Sequence, residues 1–304
     1  MSSEKWTKEE IPDQSGRVAV VTGGNSGIGL EAARALAEKG AEVIIAVRSV
    51  DRGRQARDEI LAKAARASVE VAELDLASLD SVRRFAAEYG EGRDRLDLLI
   101  NNAGVMAVPQ SKTKDGFEMQ LGTNHLGHFA LTGLLYDTVT ATDGSRVVTV
   151  SSTAHTSGEI DFDDLMAEES YSKWGRYCQS KLANLLFAYE LQRRLVAAGV
   201  DTNSIGVHPG YAATNLQKVG TWWMTAAMSV TNVVFAQSAE MGALPTLYAA
   251  TSPDAIGGSY VGPGGMRGMR GYPATQPSAE RSHDEAVAKR LWDVSEELTG
   301  VKYG

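Results

Sequence analysis

Arg17-Val18-Ala19-Val20-Val21-Thr22-Gly23-Gly24-Asn25-Ser26-Gly27-Ile28-Gly29 is the stretch that decides the fold. Its first six residues form a short valine-rich run, the composition of a buried strand. Glycines follow at once. From Ile28 to Lys39 the apolar residues Ile28, Ala32, Ala35 and Leu36 then recur at helical spacing, until Gly40 ends the pattern. A strand that turns through glycines into a helix gathers backbone N–H groups and the positive helix end at one point, where a pyrophosphate can approach bare backbone. Gly23, Asn25, Ser26, Gly27, Ile28 and Gly29 are the expected phosphate-binding turn. The spacing, Gly23-x3-Gly27-x-Gly29, is not GxGxxG, so the reading rests on the strand–turn–helix context.

The alternation continues outward in both directions. Strands are expected at Glu42 to Val47, Val69 to Leu74, Leu96 to Ile100, Arg146 to Val150, Asn203 to Val207 and Ser259 to Val261. Helices are expected at Asp51 to Ala67, Ser81 to Tyr89, within Phe117 to Val139, through Tyr177 to about Ala198, and at Asp284 to Leu298. His155 to Trp174 reads as a long polar excursion. Continuous apolar strands between helices predict an α/β fold. Its expected form is a single-domain Rossmann-type doubly wound parallel sheet of about seven strands, with helices on both faces and a ligand crevice at the strands' carboxyl ends. The domain spans 15–304, after a polar N-terminal extension over 1–14.

Composition narrows the class. The 304 residues are 43% hydrophobic and 22% charged, an ordinary globular balance. With 38 acidic and 30 basic residues the net charge is −8, and no basic block offers a nucleic-acid surface. The single cysteine, Cys178, excludes an internal disulfide. MSSEKWTKEE has no apolar run, so neither a secretory signal nor an N-terminal anchor is expected, and a cytoplasmic protein fits. Residues 219–239 carry no charge and approach the length of a membrane span. Thr, Ser, Asn and Gln dilute them, so the segment reads as buried or ligand-facing helix, with no stable membrane span.

Two further features carry chemistry. The second strand ends at Val47-Arg48-Ser49, nineteen residues after Gly29. A carboxylate there would accept from a ribose 2′-hydroxyl; a guanidinium suits a 2′-phosphate, with Arg52 and Arg54 adding charge nearby. NADP(H) is therefore favoured over NAD(H). In Tyr177-Cys178-Gln179-Ser180-Lys181 the tyrosine and lysine lie four residues apart, about one helical turn, and project from one face. A nearby ammonium favours phenolate, so a lowered tyrosine pKa is expected, suited to proton exchange with a substrate oxygen.

With Asn101-Asn102-Ala103-Gly104 after the fourth strand and Ser151-Ser152 after the fifth, the chain resembles the short-chain dehydrogenase/reductase family across nearly its whole length. It is most similar to the retinol dehydrogenase-like branch. The stretches TNHLGHFALT (123–132), VSSTAHTSGEIDFDDL (150–165), YCQSKLANLLFAYELQRRL (177–195) and RLWDVSEELTG (290–300) carry that likeness. The resemblance implies Asp75 and Leu76 beside the adenine, and Asn101, Ala103 and Gly104 on the adenosine side. It places Pro209, Gly210 and Thr214 in the loop beside the nicotinamide. It implies Tyr177 as general acid/base and Lys181 as its pKa-lowering partner and ribose ligand. Ser152 would bond the substrate oxygen, and Asn124 would hold a water against the lysine. No metal is needed.

The expected activity is carbonyl/alcohol interconversion on a lipophilic small molecule. The corresponding region of the family covers the substrate, and here 211–240 supplies Tyr211, Leu216, Trp222, Trp223, Met224, Met228 and Phe235. Reduction of a carbon–carbon double bond, as in the related protochlorophyllide reductases, and a non-catalytic NADP(H)-binding sensor are the alternatives. Homo-oligomerisation is left open. Several other signals are read as structural. His125 and His128 lack a carboxylate partner pattern, and the acidic group from Asp161 to Glu169 lacks calcium-loop spacing. Gly262-Pro263-Gly264-Gly265, with Arg267 and Arg270 beyond it, reads as a loop after the last strand. Cys178 reads as a small helix residue.

Overall fold

The computed structural model describes residues 5–210 and 237–304. The apolar runs form the strands β1 (Val18–Thr22), β2 (Glu42–Val47), β3 (Ser68–Glu73), β4 (Leu98–Asn101), β5 (Ser145–Val150), β6 (Thr202–Val207), β7 (Tyr260–Gly265) and β8 (Arg270–Thr275). They make one sheet in the order β3-β2-β1-β4-β5-β6-β7-β8. The first seven are parallel; β8 returns antiparallel along β7. The strand order reverses direction between β1 and β4, which opens a crevice at their carboxyl ends.

Helices cover both faces, each burying an apolar stripe against the sheet. They are α1 (Gly27–Glu38), α2 (Val50–Lys63), α3 (Leu79–Gly92), α4 (Met119–Leu121), α5 (Gly127–Leu134), α6 (Tyr136–Thr140), α7 (Lys173–Ala198), α8 (Ala239–Thr251) and α9 (Glu285–Thr299). Alternate residues of β1 serve opposite cores. Ala19 and Val21 pack with α1 residues Ala32 and Leu36, whereas Val20 packs with Phe129 and Phe187 on the other face. Strand residues buried on both sides explain the unbroken apolar runs.

Three features add detail to the expectations. The sheet has an eighth strand, because the glycine-rich run 262–265 continues β7 and a hairpin brings back Arg270–Thr275. Proline and glycine weaken the strand signal there, and an edge position tolerates both. The helix expected within Phe117 to Val139 is divided, with a π turn over Gly122–Leu126 between α4 and α5. The N-terminal extension belongs to the core: Ile11 is 2% exposed, Trp6 meets Tyr248 edge-on at 5.4 Å, and Lys8 pairs with Glu240 at 3.1 Å. Among the described residues, no helix is long and apolar enough to cross a membrane. Thr214 and the expected substrate-covering residues from Tyr211 to Phe235 lie outside the described residues.

Candidate active site

The glycine turn has the backbone the sequence demands. Gly23 and Gly27 adopt φ of +67° and +56°, a region that side chains resist. A Cβ on Gly29 would stand 2.6 Å from the Gly23 carbonyl and 2.5 Å from Asn102 Nδ2, so only glycine lets α1 begin this close to β4's exit. Ser26 is the N-cap of α1 but makes no side-chain cap, leaving the first-turn N–H groups without a side-chain acceptor. Thr22 at the end of β1 ties the next loop down: its hydroxyl accepts from the Asn102 and Ala103 N–H groups at 2.9 and 3.0 Å, and its carbonyl accepts from Asn102 Nδ2 at 2.8 Å.

The other cofactor candidates line the same carboxyl edge. Arg48 follows β2, is exposed, and makes no ion pair or hydrogen bond among the described residues. Arg54, by contrast, pairs with Asp51 on α2 at 3.4 Å. Asp75 follows β3 and accepts from the Ala77 N–H at 3.1 Å, while Leu76 is buried beneath it against Gly127. Ala103 and Gly104 are half-buried at the exit of β4, and Pro209 and Gly210 at the exit of β6. Asn101 closes β4 itself. It is fully buried and donates to Thr132 Oγ1 at 3.0 Å, which ties the end of β4 to α5.

Tyr177 and Lys181 emerge from the first half of α7, whose start is set by Ser172 accepting from the Gly175 N–H. Lys181 Nζ lies 5.9 Å from the Tyr177 ring centre and donates to the Val150 carbonyl at 3.0 Å. Burial lowers the Lys181 pKa from 10.5 to about 8. Tyr177 corrects the simple sequence argument: burial raises its pKa above 10, with the Ser152 hydroxyl opposing. Removing the phenol from water disfavours its anion, and the Lys181 ammonium is directed at the Val150 carbonyl. The two serines after β5 also separate. Ser151 is buried and donates to the Lys181 carbonyl at 2.7 Å, while Ser152 stays half-buried with its hydroxyl near the phenol.

Asn124 sits inside the π turn, a distortion that often marks functional sites. Its Nδ2 donates to the Val105 carbonyl and to Ser180 Oγ, both at 2.9 Å, and its Oδ1 accepts from the Val105 N–H at 2.8 Å. A Cβ on Gly104 would come within 3.0 Å of Asn124 Oδ1 and 3.5 Å of Lys181 Nζ, so glycine keeps the floor beside the lysine open. His128 braces this arrangement. Its Nδ1 meets the Asn124 carbonyl and its Nε2 meets Thr22 Oγ1, each at 2.9 Å. His125 points elsewhere, to Ser295 at 2.9 Å. Burial lowers both histidine pKa values, to about 4 for His128 and about 3 for His125. The brace from His128 to Thr22 needs contacts only the fold supplies.

A nicotinamide dinucleotide fits the residues present. Uncapped N–H groups at α1 suit a pyrophosphate, Gly23 and Gly104 leave bare backbone, and the crevice ends on Lys181 and Tyr177. Among the described residues, no cluster of three or more His, Cys, Asp or Glu side chains could hold a metal ion.

The comparisons with known proteins agree. The short chain dehydrogenase family model matches residues 17–223. Human "Retinol dehydrogenase 13" is 42% identical over 303 residues, covering 97% of this chain and 87% of that protein. Human "Polyprenol dehydrogenase" is 38% identical over 298 residues, covering 96% and 87%. A crystal structure of an uncharacterised Mycobacterium paratuberculosis protein superposes with a TM-score of 0.83 at 46% identity, covering 99% of each chain.

Proposed function

The chain belongs to the short-chain dehydrogenase family and is an oxidoreductase of CH–OH and C=O groups with a nicotinamide cofactor, and from that premise we propose that it is a cytoplasmic NADP(H)-dependent enzyme acting on a lipophilic aldehyde, ketone or alcohol through Tyr177. The observation that carries the reading is the convergence of Tyr177, Lys181, Ser152 and Asn124 at the end of one crevice. The cofactor, when bound, supplies or accepts the hydride. The protein's own groups manage the oxygen and its proton. Ser152 donates a hydrogen bond to the substrate oxygen and Tyr177 transfers the proton. A raised pKa keeps the phenol protonated, the form that donates as a carbonyl becomes an alcohol. Lys181, with its pKa near 8, carries its charge at neutral pH and offsets negative charge on the phenol oxygen after transfer.

Exposed Arg48, free of carboxylate partners among the described residues, supports a 2′-phosphate and hence NADPH. The lipophilic substrate class is supported by the isoprenoid alcohols in the relatives' names and by the uncharged stretch 219–239. NADPH oxidation with an aldehyde series of increasing chain length tests both points. kcat/KM should climb with length, by up to about 0.8 kcal/mol for each buried methylene, until the pocket is full. A preference for short charged carbonyls would overturn the substrate class. Tight NADPH binding without turnover on aldehydes, ketones and enones alike would favour a sensor instead.

A further inference from the structure

His155 is 2% exposed and takes no part in the steps above. It lies in the short 3-10 turn Thr153–Ser157 that Ser152 caps. Its Nδ1 is 2.6 Å from the Ser152 carbonyl oxygen, which also accepts from the His155 backbone N–H at 3.1 Å. On the opposite side of the ring, the Ala279 backbone N–H donates to Nε2 at 3.1 Å. A carbonyl only accepts and a backbone amide only donates, so these partners assign a neutral ring with its proton on Nδ1. Burial holds the pKa below 6.5; the Ser152 carbonyl opposes this and the charge of His283 adds to it.

The ring also belongs to a column. It stands edge-on to Tyr260 at 5.2 Å and 80°, and Tyr260 stacks on His208 at 5.0 Å and 29°. His208 Nδ1 accepts from the Gly210 N–H at 3.2 Å. One end of the column therefore holds Ser152 and the other holds Gly210. These are the loops after β5 and β6, on the same carboxyl edge as the tyrosine–lysine pair.

We propose that His155 is a positioning residue, clamping the Ser152 carbonyl and so setting where the Ser152 hydroxyl meets the substrate oxygen. This rests on the reading of Ser152 as the donor to that oxygen. A packing role alone would weaken the fold when His155 is changed, with no dependence on Ser152.

Two variants separate the clamp from packing. His155→Asn keeps a donor near the Nδ1 position; His155→Gln offers Ala279 an acceptor but places no donor at Ser152. With NADPH and the best aldehyde of the chain-length series, kcat should fall about tenfold in His155→Gln and stay within about threefold in His155→Asn. NADPH affinity should be unmoved in both. In a Ser152→Ala background, His155→Gln should cost almost nothing further, since the group being positioned is gone. Near-normal kcat in Ser152→Ala would defeat the Ser152 reading and the proposal with it. An impaired Ser152→Ala, with equal losses in the two His155 variants or full additivity in the double variant, would defeat the proposal alone. Nitrogen-15 imidazole spectra of the unaltered protein need no variant to fold. They should show the His155 proton on Nδ1, and an Nε2–H form would overturn the clamp.

Discussion

Replacing Lys181 by Met should make the protein more stable while abolishing its activity. Lys181 is only 5% exposed, and burial takes its pKa from 10.5 to about 8. At about 1.4 kcal/mol per pH unit, that drop is about 3 kcal/mol of destabilisation at neutral pH. Methionine has similar length and flexibility and carries no charge to desolvate. The one acceptor it abandons is not orphaned, because Asn184 Nδ2 also donates to the Val150 carbonyl at 3.0 Å. The sign follows from proton binding. Below about pH 8 the lysine is charged both folded and unfolded, and the folded state carries the whole penalty. Between about 8 and 10.5 the unfolded chain holds more protons, so stability of the unaltered protein rises with pH. Above 10.5 both forms are neutral and the penalty is gone. Urea unfolding at about pH 7 should favour the variant by about 3 kcal/mol, and the gap should shrink to about half near pH 9.5. A variant less stable than its parent at about pH 7, or a gap that ignores pH, would refute the reasoning.

Arg48→Ala should weaken NADPH binding about tenfold or more while leaving NADH unchanged, since a charge-assisted phosphate contact is worth about 1.5–3 kcal/mol; equal affinities for the two cofactors in the unaltered protein would contradict it. Tyr177→Phe keeps the ring and removes the transferable proton, so turnover should drop at least about 10²-fold with NADPH affinity intact, and retained turnover would take Tyr177 out of the mechanism. Gly29→Ala should cost about 1–3 kcal/mol and impair cofactor binding, because its Cβ would press on the Gly23 carbonyl at 2.6 Å; a calorimetric midpoint and NADPH titration both unchanged would show that the turn yields.

The sequence by itself determined the layers, the turn and the main chemical groups. Those signals are local: valine runs, helical spacing, glycines between strand and helix, and a tyrosine and lysine one turn apart. Each depends on near neighbours, and parallel strands then place every β-exit on one edge. It did not reveal β8, because Gly271 and Pro273 hide a strand whose stability comes from pairing with β7. Only the tertiary structure tied Ser151 to the Lys181 carbonyl, paired Asn101 with Thr132, and joined His128 to Thr22 across 106 residues. It also reversed the expected shift of Tyr177, because burial depends on what packs around a side chain and not on the residue four places along. Spacing specifies which face a group leaves from; desolvation and long-range hydrogen bonds exist only once the chain has closed around it.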